Sequence, residues 1–98
     1  MKRVYVLLDK RLSKSQRIPQ AAHAIAQLLF EFNPDGQWLR DWLRVDKTLV
    51  CLEAEDADLK GKGDAEFYDS DLGFITAVAF LPMTEEDGDR QFGRLRLA

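Results

Sequence analysis

Apolar side chains gather in short runs along this chain, and their spacing separates strands from helices. In residues 1–9, Val4, Val6 and Leu8 alternate with Tyr5 and Leu7, so both faces are apolar. A strand of that kind sits inside a sheet covered on both sides. Residues 10–15 are polar and read as a loop. Ile18, Ala22, Ile25, Leu29 and Phe32 then recur at three- and four-residue intervals, the stripe of an amphipathic helix. Two starts for that helix are open. Ser15 is a good N-cap but puts Pro19 where its missing N–H and its ring disturb the helix. A start at Pro19 suits proline and leaves Ile18 as a poor cap.

Asn33-Pro34-Asp35-Gly36 breaks the pattern. Residues 37–44 predict a short amphipathic helix, with Trp38, Leu39, Trp42 and Leu43 opposite Arg40, Asp41 and Arg44. Residues 47–53 predict a second strand, again apolar on both faces. Residues 55–64 are acidic and hold at most one helical turn, and 66–68 predict a short third strand. Residues 74–81 are the strongest strand of the chain, ended by Pro82. Thr84-Glu85-Glu86-Asp87 is a capped helix start with acids favourably placed at its N-terminus, although Gly88 weakens the helix it opens. Gly93-Arg94-Leu95-Arg96-Leu97 alternates polar and apolar. The element order predicts an α/β fold: one domain over residues 1–98, with a four-stranded mixed sheet and helices packed on its faces. Ninety-eight residues leave no room for a second core.

No apolar run reaches the roughly 20 residues that span a bilayer. Met1-Lys2-Arg3 ahead of the first apolar run has the charge order of a secretory signal. The run is too short, however, and Asp9-Lys10-Arg11 stands where a small-residue cleavage site belongs, so a cytoplasmic protein without membrane attachment is expected. The single cysteine, Cys51, lies in an apolar run and is expected as a buried structural thiol. One His and one Cys offer no zinc set of these ligands, and no glycine-rich phosphate loop appears, so neither metal nor cofactor is expected.

The net charge of −3 argues against general affinity for nucleic acid, but its distribution changes the picture. Residues 1–17 carry Lys2, Arg3, Lys10, Arg11, Lys14 and Arg17 against Asp9 alone, whereas the other 81 residues hold eight basic and sixteen acidic side chains. A basic end on an acidic body can dock a phosphate-rich partner locally.

Thr76 is the one hydroxyl in the run from Phe74 to Phe80, and Asp69 and Asp71 lie in the loop leading to it. A strand hydroxyl facing a cleft can hold a water or a carbonyl oxygen, and a loop aspartate can act as a base or orient another group. Gln16, Gln20, His23 and Gln27 form one polar stripe if the first helix begins near Gln16. Trp38 and Trp42 could stack on bases, but packing onto the sheet is the stronger expectation.

Taken together, these residues resemble the class II peptidyl-tRNA hydrolases. The family helix reads roughly G-K-x-A-A-Q-x-A-H-A, and the segment here is Ser15-Gln16-Arg17-Ile18-Pro19-Gln20-Ala21-Ala22-His23-Ala24. Trp42 and Lys47, Asp69, Thr76 with the strand to Pro82, and Gly93-Arg94-Leu95-Arg96-Leu97 follow in family order across the whole chain. The resemblance implies hydrolysis of the ester between a peptide and the terminal ribose of tRNA, with no metal or organic cofactor. It implies Asp69 and Thr76 at the reaction centre, Gln20 and His23 beside it, and Lys10, Arg11, Lys14 and Arg17 on tRNA phosphates. The family's active-site lysine falls on Gln16 and its flanking glycines on Ser13 and Ser15, so Arg17 or Lys14 is expected to supply the missing cation, Arg17 first because it adjoins Gln16. The alternative is a non-catalytic member of the same fold, acting as a binding or dimerising module, and a homodimer is compatible with the two tryptophans of the short helix.

Overall fold

The computed structural model describes residues 2–32 and 37–98; the break expected at 33–36 and the Trp38 side chain lie outside what it describes. In chain order the elements are β1 (Lys2–Asp9), α1 (Lys14–Phe32) and α2 (Gln37–Asp41), the last running into a π-helical turn (Trp42–Asp46). β2 (Thr48–Ala54), α3 (Asp56–Leu59), β3 (Ala65–Asp69), β4 (Phe74–Ala79), β5 (Met83–Thr84) and α4 (Glu85–Phe92) follow. The sheet order is β2-β1-β4-β3, with β1 parallel to β2 and antiparallel to β4, and with β3 antiparallel to β4. This is the mixed sheet expected, a parallel pair joined through α1 and α2 beside a hairpin pair.

A fifth strand corrects the expected count of four. β5 pairs with the first residues of β1, Lys2 with Thr84 and Arg3 with Met83. Two residues are too few to show a period, so no sequence pattern could announce them.

The alternation along β1 is read out on two faces. Val4, Val6 and Leu8 meet Ala77 and Ala79 of β4 and Ala21, Ala24 and Leu28 of α1, with Leu39 and Trp42 closing that side. Tyr5 and Leu7 meet Val78, Phe80, Leu59 and Phe92 on the side of α3 and α4. Trp42 is buried and its indole N–H donates to the Thr48 carbonyl at 2.9 Å, which fulfils the packing expectation for it.

β2 departs from expectation. It was expected to be buried like β1, yet it is an edge strand, half-buried, with Leu49 44% exposed. Its composition suits either place, and α1 leans over β1, β4 and β3 instead. The tail covers part of its outer edge: Glu53 N–H donates to the Arg96 carbonyl at 2.8 Å and Ala98 N–H to the Cys51 carbonyl at 2.9 Å. Cys51 is therefore only partly buried, and burial raises its thiol above the ordinary range.

Gly88, read from sequence as a weakness in α4, has a packing role. A Cβ there would fall on the ring and hydroxyl of Tyr5. The helix opens with Thr84 Oγ1 accepting from Asp87 N–H at 3.2 Å, as its sequence led one to expect.

Candidate functional site

The first helix begins earlier than either start considered. Its first residue is Lys14, and Ser13 N–H donates to Gln16 Oε1 at 2.9 Å. Ser13-Lys14-Ser15-Gln16 is thus half of a capping box, in which the residue three positions on reaches back to the cap. That explains Gln16 locally: its amide holds the helix start rather than facing a substrate. Pro19 sits inside the helix and withdraws the N–H that would bond the Ser15 carbonyl, and both residues are exposed, so water can replace that bond.

This start sets Gln20 facing the β3–β4 hairpin. Within the hairpin, Phe67 opposes Ala77 and Tyr68 opposes Ile75, so Thr76 is one extra residue on β4. Ile75 packs on the side of α4 and Ala77 on the side of α1. Residues two apart share a face in a regular strand; here the β-bulge breaks that rule and re-aims Thr76. Fully buried, Thr76 donates its hydroxyl to Gln20 Oε1 at 2.7 Å. Gln20, also buried, donates from Nε2 to Asp69 Oδ2 at 2.7 Å.

The chain Thr76–Gln20–Asp69 has one direction. An ionised carboxylate only accepts, so the amide must give Asp69 its nitrogen and turn its oxygen to Thr76. Asp69 Oδ1 accepts from the backbone N–H groups of Asp71 (2.9 Å) and Leu72 (3.1 Å). Gly73, at φ +81°, closes this turn with its N–H on the Asp69 carbonyl at 2.7 Å. The Gln20 bond, then the turn amides, hold Asp69 below the usual carboxylate range. With three of its roughly four acceptor positions filled, Asp69 is suited to orienting and charging the site and is a weak base. Asp71 is exposed in the same turn.

His23 lies one helical turn beyond Gln20. Its exposed imidazole stacks on the Phe67 ring, with centroids 4.5 Å apart and planes tilted by 45°. Gln20, His23, Asp69 and Thr76, far apart in sequence, are therefore brought together by α1, β3 and β4.

Arg17 is not brought to this group. Its guanidinium donates to Glu53 Oε2 at 2.7 Å, to the Leu12 carbonyl at 3.2 Å and to the Lys10 carbonyl at 3.3 Å, toward β2. The acidic Glu53 on the second strand was the competing partner, and only the parallel pairing of β1 and β2 brings it there. Three other residues of the basic stretch are also paired: Arg3 with Glu85 at 3.2 Å, Lys10 with Glu55 at 2.6 Å and Arg11 with Asp9 at 2.7 Å. Among the described residues, Lys14 has no ion pair. Lys10 shares a polar hollow of about 260 Å³ with Arg94 and Arg96, in which Glu53 and Glu55 also stand.

Arg11, expected from the resemblance as a phosphate contact, also stands near this site. Its guanidinium centre lies 4.1 Å from the centroid of Phe74, the residue in register with Asp69. Asp9, 1% exposed, anchors it through Nε (2.9 Å) and Nη2 (2.7 Å). Burial acts to raise the Asp9 carboxyl, but the bonds to Arg11 outweigh it and the net shift is downward. The feature that could have flagged this arrangement is Asp9 itself, one acid at the end of an otherwise apolar strand. Among the described residues, no group of His, Cys, Asp and Glu could hold a metal ion and no helix is long and apolar enough to cross a membrane. Compared with protein-family models and with curated proteins, the chain matches none.

Proposed function

We propose that this protein is a peptidyl-tRNA hydrolase-like esterase of the cytoplasm, acting at the bond between a peptide and the terminal ribose of tRNA. The observation that carries the reading is the hydrogen-bonded chain Thr76–Gln20–Asp69, drawn from three separate elements. In this reading Thr76 fixes the Gln20 carbonyl, leaving one Nε2 hydrogen for the substrate's ester oxygen. Asp69 supplies fixed negative charge that orients the amide, and His23, exposed beside them, accepts the proton of the attacking water. Arg11 is the cation at the Phe74–Asp69 end of the hairpin, its charge shared with Asp9.

A second reading, a non-catalytic binding module of the same fold, draws on a specific observation. Arg17 is held by Glu53, and Lys10 by Glu55, so much of the expected phosphate-binding charge is already compensated. The test is release of labelled peptide from purified peptidyl-tRNA at low and moderate salt. The hydrolase reading expects turnover whose apparent KM rises with salt, as phosphate contacts by Lys14 and its neighbours are screened. No release at any salt, with tRNA binding retained, selects the module.

A further inference from the structure

The outer face of α1 presents an anomaly. From Ile18 to Phe30, thirteen residues contain no Asp, Glu, Lys or Arg, in a chain where 32% of residues are charged. One side of this helix packs on the sheet through Ala21, Ala24 and Leu28. The opposite side faces outward yet is also apolar: Ile18 is 79% exposed and Phe30 82%, with Ala22 and Ala26 exposed between them. A surface helix ordinarily carries charge on its outer face, and one uncharged all round is ordinarily covered. An apolar groove of about 610 Å³ between α1 and β2, walled by Ile25, Leu29, Leu49 and Cys51, widens the patch.

We infer that a second copy of this chain covers this face, with α1 packed antiparallel against its equivalent about a two-fold axis. The stripe is self-complementary. Ile18, Ala22, Ala26 and Phe30 read large, small, small, large, symmetrically about position 24. An antiparallel pair centred there sets Ala22 against Ala26 of the other copy, where small side chains permit close backbone approach, and sets Ile18 against Phe30. An isologous contact of this kind closes on itself and leaves no open patch. The flanking charges agree with that direction. Lys14, exposed, lies in the first turn and Glu31, exposed, near the last, the reverse of what the helix's own dipole favours. Antiparallel pairing places each basic end by the acidic end and negative dipole pole of its neighbour, whereas parallel pairing would set like against like. This inference does not rest on the hydrolase reading.

Sedimentation equilibrium of the full chain from about 1 μM to 1 mM should give a reversible dimer. Ala22→Arg, at a position exposed in the single chain, should raise the dissociation constant about tenfold or more, with the circular dichroism spectrum unchanged and the melting temperature unchanged at concentrations where wild type is monomeric. Orientation is read by mixing an Ala22→Cys chain with an Ala26→Cys chain, both in a Cys51→Ser background, and oxidising. Facing Cβ atoms suit a disulfide, so the mixed dimer should cross-link at least about tenfold faster than either chain alone. A wild type that stays monomeric, an Ala22→Arg variant that dimerises normally, or cross-linking that favours like chains overturns the inference. So does a wild type that stays monomeric while binding a different protein through this face.

Discussion

Gly88→Ala should destabilise the protein by about 2–3 kcal/mol, seen as a lower urea midpoint with an unchanged slope. Helix propensity pulls the other way, since alanine gains up to about 1 kcal/mol over glycine inside a helix. Packing wins because the added methyl would occupy the space of the Tyr5 ring. Tyr5 cannot give way easily: it is buried on the central strand and its ring packs against Phe92, at 5.3 Å between centroids. Among the described residues the Tyr5 hydroxyl has no hydrogen-bond partner, so Tyr5→Phe alone should be neutral or mildly stabilising. In a Tyr5→Val background the space opens, and Gly88→Ala should cost little or become favourable. A cost unchanged in that background would mean that the clash lies elsewhere.

Gln20→Leu should cost about 2–4 kcal/mol, because one side chain serves two others. Its loss leaves the Thr76 hydroxyl buried without an acceptor and removes the bond to Asp69 Oδ2. Thr76→Val should cost less, about 1–2 kcal/mol, since only the Gln20 carbonyl loses its donor. The double variant removes both partners of the buried bond and should be less destabilised than the sum of the two single changes. Strict additivity in chemical denaturation would show that the bond is not formed in solution.

The strands were legible where burial acts on both faces. β1 and β4 are central and their unbroken apolar runs say so, whereas β2 carries an equally apolar run at the edge of the sheet. Edge or centre depends on where α1 leans, and α1's own residues say nothing of that. In the site, residue types and order pointed to Asp69, Thr76, Gln20 and His23, but the means of joining them was hidden. The bulge at Thr76 is a register shift between two strands, and no period within either one encodes it. The cap at Ser13 is legible, since serine followed three residues later by glutamine is a helix-start signature, but Pro19 inside the helix is a rival start signal. Sequence adjacency to Gln16 alone makes Arg17 the expected cation. Its partner is 36 residues away on β2, and a long cationic side chain goes to the acid the fold presents.

The central claim is that Thr76, Gln20 and Asp69 act as one oriented unit on a peptidyl-tRNA ester. The most direct test is single-turnover release of peptide from purified peptidyl-tRNA by wild type, Gln20→Ala and Asp69→Asn, with folding checked for each. Wild type should release peptide, and both substitutions should lower the chemical step about 10²-fold or more while leaving tRNA affinity near that of wild type. Undiminished release by two folded variants would contradict the account, as would a wild type that binds peptidyl-tRNA and leaves its ester intact.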